Sequence, residues 1–127
     1  MPLIGRENVD KAILKLKESA NDDVRGVYFS GLSAVIKGTP VDEGRARNNW
    51  FLSENNPSES ITDSESKSGS GSISQLSHIP KNVMNTKVFF TNNLPYIKRL
   101  EYGWSQQAPD GWVRRTVMAM RKKLRAL

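Results

Sequence analysis

Residues 7–36, ENVDKAILKLKESANDDVRGVYFSGLSAVI, are the stretch that decides the fold. Apolar side chains recur there at steps of three and four residues, which is the spacing of one face of a helix and not the alternation of a strand. Asn8 suits the N-cap of this helix, and Gly38 with Pro40 would end it. The pattern predicts one long helix, with a kink near its middle, where weak helix formers gather, as the alternative. Its apolar stripe consists of Val9, Ala12, Ile13, Leu16, Ala20, Val24, Val27, Leu32 and Val35.

Outward from this helix, the chain predicts a small sheet and two more helices. Residues 49–53 contain two aromatic side chains, and residues 86–91 are β-branched and aromatic, as strands are. Pro95 suits the first turn of a short helix that ends at Gly103. A final helix begins near residues 109–110, because proline is tolerated in a first turn and aspartate is favoured there. Its apolar stripe is Val113, Val117, Met120, Leu124 and Leu127.

The middle of the chain has a different composition. Residues 54–77 are rich in Ser, Gly, Asn and acids, and their aliphatic residues are Ile61, Ile73 and Leu76. Such a segment predicts an extended arm or hairpin that depends on a neighbouring subunit for its order. The predicted class is therefore α+β: a long N-terminal helix, a small antiparallel sheet with this arm, a short helix and a basic C-terminal helix, in a single domain over residues 1–127.

Composition excludes several classes of protein. A length of 127 residues suits one domain with a modest core, and an apolar fraction of 37% favours support from oligomerisation. Without cysteine there can be no disulfide, thiolate nucleophile or cysteine zinc site. His78 is expected in an exposed loop, and Asp42 with Glu43 lacks a third ligand for a cation. We therefore expect no catalytic, metal or cofactor site, no membrane span, and a soluble protein assembled in the cytoplasm.

The positive charge is unevenly placed. The chain carries a net charge of +6, and residues 53–72 carry four acids and one lysine, a net of −3, so the rest carries +9. The last fourteen residues hold six bases and no acid: Arg114, Arg115, Arg121, Lys122, Lys123 and Arg125. This cluster predicts attraction to DNA phosphates or to an acidic protein surface, with a solvated helix end as the equally ordinary alternative.

Aromatic residues near the basic segments are expected to anchor the core or an interface. A stacking platform for single-stranded nucleic acid is less favoured, because aromatic and basic residues do not alternate along a strand. We expect Arg45 to hold the turn after Pro40 by pairing with Asp42 or Glu101. The candidate partner-binding residues are Arg45, Arg47, Trp50, Tyr96, Tyr102, Trp104, Trp112, Arg114, Arg121 and Arg125.

Two separated blocks carry a family resemblance. They are residues 39–50, TPVDEGRARNNW, and residues 92–117, NNLPYIKRLEYGWSQQAPDGWVRRTV, together 38 of 127 residues. In order and spacing they resemble the tail-completion proteins of long-tailed bacteriophages, which act at the neck where tail and head are joined. Glu43 replaces the threonine that is more usual in that family, and Trp104 stands where histidine is frequent.

The resemblance implies a structural virion protein and not an enzyme. Such a protein would form a homo-oligomeric ring, a hexamer or dodecamer, at the head-proximal end of the tail. Its neighbours would be connector proteins and tail-terminator or tail-tube proteins, and phage DNA would pass through the lumen without specific binding. A tail-terminator or head-side connector ring is the nearest alternative. A small DNA-binding protein is the more distant one, suggested by a pI near 9.8.

Overall fold

The computed structural model describes residues 5–40, 44–102 and 111–127. The fold is α+β, as the sequence predicts. The helices are α1 (Gly5–Gly38), α2 (Arg45–Asn48), α3 (Ser70–Gln75), α4 (Ile97–Glu101) and α5 (Trp112–Arg125). The strands are β1 (Trp50–Glu54) and β2 (Val88–Asn92). Short 3-10 turns occupy Leu76–His78 and Val83–Asn85.

Helix α1 is continuous over 34 residues, a length of about 50 Å. The prediction of one long helix is therefore confirmed. Its second half is the scaffold of the fold, because Val27, Val35 and Ile36 are buried there. Its first half differs, since every side chain from residue 6 to residue 19 is exposed. The apolar stripe is thus exposed up to Leu16 and buried or partly buried from Ala20 onward.

Strands β1 and β2 form an antiparallel pair, in which Trp50 lies opposite Asn92 and Glu54 opposite Val88. Both strands fall within two residues of their predicted bounds. The rings of Trp50 and Phe90 stack on one face, with centroids 5.2 Å apart and an interplanar angle of 9°. Because an isolated two-stranded sheet is only marginally stable, this face must be covered, and it joins the core beside α1.

The core lies where α1, β1 and α5 meet. Its buried members are Val35, Ile36, Trp50, Leu76 and Trp112. Helix α5 crosses α1 in the antiparallel sense, and two glycines of α1 allow the close approach. A Cβ at Gly38 would lie 2.8 Å from Cδ1 of Trp112, and one at Gly31 would collide with Met120. Six partly buried apolar residues pack against this core: Leu32, Ile73, Phe90, Ile97, Leu100 and Val113.

The segment at residues 54–77 is held against its own chain by hydrogen bonds, and its expected dependence on a neighbouring subunit stays a prediction. Asn48 Nδ2 donates to the carbonyl of Ser66 at 2.6 Å, and Asn49 Nδ2 donates to that of Thr62 at 2.9 Å. The amide of Thr62 donates back to Asn49 Oδ1 at 2.9 Å. The end of the segment is helix α3, whose Ser72 is fully buried. The segment is thus held by hydrogen bonds from Asn48 and Asn49 and, at its end, by the burial of Leu76 in the core.

The C-terminal elements are shorter than predicted. Helix α4 begins at Ile97 and not at Pro95, and it ends at Glu101. The predicted start of α5 at residues 109–110 lies outside the described residues. In α5, Val113, Met120 and Leu124 are partly buried, whereas Val117 is exposed against expectation, as is Leu127 after the end of the helix. Among the described helices, none has the length and apolar character needed to cross a membrane.

Candidate functional site

The two blocks that carry the family resemblance meet at the end of α1. Thr39 Oγ1 donates to the carbonyl of Val35 at 2.7 Å and accepts from Trp50 Nε1 at 2.9 Å. Trp112 Nε1 donates to the same carbonyl of Val35 at 3.1 Å. Because all four side chains are buried, Trp50 and Trp112 are core anchors and not exposed contacts for a partner.

Arg47 closes the C-terminal end of α1. Its Nη2 donates to the carbonyl of Lys37 at 2.7 Å and to that of Thr39 at 2.9 Å. Its Nη1 donates to the carbonyl of Lys67 at 2.8 Å. The carbonyl of Lys37 is one of those that α1 leaves unpaired at its negative end, where a cation is favoured, and the carbonyl of Lys67 ties the segment before α3 to the same guanidinium. Desolvation by burial lowers the pKa of Arg47, but an arginine stays charged at neutral pH, so its role is structural.

Arg45 pairs with an acid, as expected. The prediction that this acid is Glu101 is wrong, and Asp42, the other expected partner, lies outside the described residues. Its Nη2 lies 3.2 Å from Oδ1 of Asp63, and its Nε donates to the carbonyl of Thr62 at 3.4 Å. The side chain of Asp63 is 96% exposed, so this ion pair contributes little to stability. Its effect is to hold residues 62–63 close to α2.

Glu101 instead caps helix α5. Its Oε1 accepts from the amide of Val113 at 2.9 Å, and its Oε2 accepts from the amide of Arg114 at 3.0 Å. The same Oε2 pairs with Nε of Arg114 at 3.1 Å, and that guanidinium lies 4.5 Å from the centre of the Tyr102 ring. A carboxylate at the positive end of a helix is stabilised by both the free amides and the dipole. Glu101 was missed from sequence because its partners come from another helix.

Two exposed surfaces of opposite charge remain after these structural roles are assigned. The first, the acidic segment, is residues 57–66, which carry exposed Glu59, Asp63 and Glu65 and no base. The second, the basic face, lies on α5, where exposed Arg121, Lys122 and Arg125 surround a Met118 that is 67% exposed. In the part of the chain that the structure describes, no ion pair joins the acidic segment to the basic face.

The remaining predicted residues divide between structure and surface. Tyr96 is partly buried at the start of α4, and Trp104 lies outside the described residues. Tyr102 is exposed beside Arg114, next to the start of α5. His78 is exposed, as expected. Within residues 5–40, 44–102 and 111–127 there is no group of three potential ligands that could hold a metal ion. The described geometry thus offers docking surfaces of defined charge.

Comparisons with protein-family models, with curated protein sequences and with solved structures gave no significant match.

Proposed function

We propose that this protein is one subunit of a ring that completes the head-proximal end of a phage tail and joins the tail to the head. The neighbours in this proposal are connector proteins on one side and tail-terminator or tail-tube proteins on the other. The proposed ring is a hexamer or dodecamer, and DNA passes through it without specific binding. The virion neck is its proposed location.

The observation that carries the proposal is the pair of oppositely charged surfaces on one folded chain. Subunits of a closed ring meet heterologously, so each must present two different and complementary surfaces. The acidic segment, with Glu59 and Glu65, and the basic face, with Arg121 and Arg125, meet this requirement. Ile61, which is 52% exposed in the acidic segment, adds an apolar centre that matches Met118 in the basic face.

The position of the family-like blocks is also consistent with this proposal. Within the described parts of these blocks, contacts of Thr39, Arg47 and Glu101 build the body that supports both charged surfaces. The residues named from these two blocks pack the core and cap helices, which is what a structural role requires. The proposal takes the phage assignment from the resemblance and the manner of assembly from the charges.

Charge reversal tests the proposal. Arg121→Glu/Arg125→Glu should leave the fold intact and prevent ring formation and head-to-tail joining, because two acidic surfaces would then face each other. Glu59→Lys/Glu65→Lys should do the same by opposing two basic surfaces. The chain with all four changes should regain both properties. Lys11→Glu/Lys15→Glu on the exposed first half of α1 is the matched control.

The readouts are electron microscopy of the purified variants and the yield of infectious particles in an extract that lacks only this protein. If the two double variants join heads to tails as well as the unchanged chain does, the proposed contact is wrong. Binding to isolated tail ends or to portal assemblies would separate tail completion from a terminator or connector role.

A second candidate, duplex DNA binding, is favoured by the six bases of α5 and its lack of acids. It predicts an affinity for unrelated duplexes that falls steeply with salt concentration, with a slope set by the number of neutralised phosphates. Loss of that binding in Arg121→Glu/Arg125→Glu, together with intact joining, would favour this candidate over the ring.

A further inference from the structure

The first half of α1 presents an apolar face that stays exposed among the residues the structure describes. Val9 is 55% exposed, Ile13 45% and Leu16 70%, and they are spaced by four and three residues. With Ala20, four residues further, they form a face that we call the open stripe. A helical segment of this length is marginal in water on its own, and most helical stability in proteins comes from packing of such a face. The open stripe therefore needs a partner.

The same face of α1 is covered further along the helix. Val27 and Gly31 are buried, and Gly31 lies against Met120 of α5. Near the middle of α1, the turn Val83–Asn85 lies beside this face, where Asn21 Oδ1 accepts from the amide of Met84 at 3.0 Å. A groove lies between the two, lined by Ile13, Leu16, Lys17 and Ala20 of α1 and by Asn82, Met84 and Asn85. The open stripe thus continues a face that the fold already uses for packing.

We propose that the open stripe binds the open stripe of a second copy of this chain, with the two helices antiparallel about a two-fold axis. The spacing of four, three and four residues is that of a coiled-coil seam over about two heptads. In the antiparallel register, Ile13 packs against the second copy's Leu16, and Val9 packs against the second copy's Ala20. The two-fold axis repeats both contacts, so the four residues of each copy are covered.

The charges beside the open stripe select this direction and this partner. Asp10 and Lys17 are exposed, and both occupy the position immediately after an apolar residue of the seam, on the same flank. Antiparallel pairing places Asp10 of each copy against Lys17 of the other, so two ion pairs form. Parallel pairing in register would place Lys17 against Ala12 and Asp10 against Gly5 on the other flank, where no charge is available. In the antiparallel pair the other flank carries Ala12 and Ser19, which are small and allow the helices to approach closely.

The size of the contact predicts a reversible dimer. A pairing limited to about four helical turns buries less than the roughly 800 Å² per partner of a stable complex. The free chain should therefore shift between monomer and dimer with concentration in the micromolar range or above. This contact is isologous and closes with two copies, so it is separate from the heterologous ring contact. It stands or falls independently of the proposed function.

Sedimentation velocity on the full chain over a wide concentration range measures the dimer. Asp10→Lys and Lys17→Asp should each weaken dimerisation about tenfold, because each replaces two attractive pairs by two repulsive ones. The double variant should return to within about twofold of the unchanged chain, since the pairs are restored with exchanged signs. Lys11→Asp, on the side of α1 away from the open stripe, is the matched control and should have no effect.

Cross-linking tests the register, because the chain has no cysteine of its own. A mixture of Ile13→Cys and Leu16→Cys chains should form the mixed disulfide in preference to either homodisulfide. A preference for homodisulfides would indicate parallel helices and would overturn the proposed arrangement. A chain that remains monomeric at every concentration would overturn the pairing itself and leave the open stripe to a different protein. Failure of the double charge variant to recover dimerisation would likewise contradict it.

Discussion

Replacing Glu101 by alanine removes the acceptors that cap the first turn of α5. The amides of Val113 and Arg114 lose their partners, and loss of an N-cap costs about 1 kcal/mol, within a range of about 0.5–2. The ion pair with Arg114 adds less, about 0.5–1 kcal/mol, because the arginine side chain is 53% exposed while that of Glu101 is 13% exposed. We expect a total loss of about 2 kcal/mol in the free energy of unfolding.

Urea denaturation followed by circular dichroism measures this loss in the free energy of unfolding. In thermal denaturation, Tm should fall by about 3–5 °C for each kcal/mol lost in a domain of this size. Glu101→Gln keeps one oxygen acceptor and loses the charge, so it should cost about half as much. Arg114→Met removes only the pair and should cost less than about 1 kcal/mol. A Glu101→Ala variant within about 0.3 kcal/mol of the unchanged chain would refute the capping role. Equal costs for Glu101→Ala and Arg114→Met would assign the effect to the ion pair instead.

Four further changes test the hydrogen bonds and the backbone of the fold by urea denaturation. Thr39→Val should cost about 1–3 kcal/mol, because it leaves the buried Trp50 Nε1 without its acceptor; an unchanged stability would contradict that hydrogen bond. Asn49→Ala should cost a similar amount and should make residues 57–66 the first site of proteolysis, which an unchanged cleavage pattern would refute. Gly44→Ala should destabilise the fold, because φ of Gly44 is +77° and an added Cβ would meet the carbonyl of Glu65. Gly26→Ala should instead stabilise α1 by about 0.5–1 kcal/mol, because no atom lies within 4 Å of the added Cβ. The opposite order of these two glycine variants would be inconsistent with the structure.

The elements that depend on local pattern could be predicted from the sequence. The three-and-four spacing of apolar residues predicted α1 over almost its full length, and β-branched and aromatic content predicted β1 and β2. Trp50 and Trp112 were expected to be core or interface anchors, and they are core anchors. These predictions succeed because periodicity and propensity act within a few residues of the chain.

Contacts between side chains that are distant in the sequence could not be predicted in the same way. Arg45 was expected to pair with an acid such as Asp42, which lies outside the described residues, or Glu101, which pairs with Arg114 instead. Arg45 pairs with Asp63, because the side chains of Asn48 and Asn49 bring residues 57–66 onto α2. The composition of that segment suggested an arm that depends on a neighbouring subunit. The hydrogen bonds from Asn48 and Asn49 that hold it could not be recognised in the sequence, because they produce no apolar pattern. Periodicity also could not tell which half of the α1 stripe the chain itself would cover.

The claim that this protein completes a tail and joins it to a head is tested most directly by complementation in vitro. In an extract that lacks only this protein, separate heads and tails should accumulate, and the purified chain should convert them into joined particles, with a ring visible at the head-proximal end of the tail. The Arg121→Glu/Arg125→Glu chain should fail in the same extract, and the addition of Glu59→Lys/Glu65→Lys changes should restore joining. Heads and tails that join equally well without the chain, or a chain that binds neither tail ends nor portals, would contradict the account.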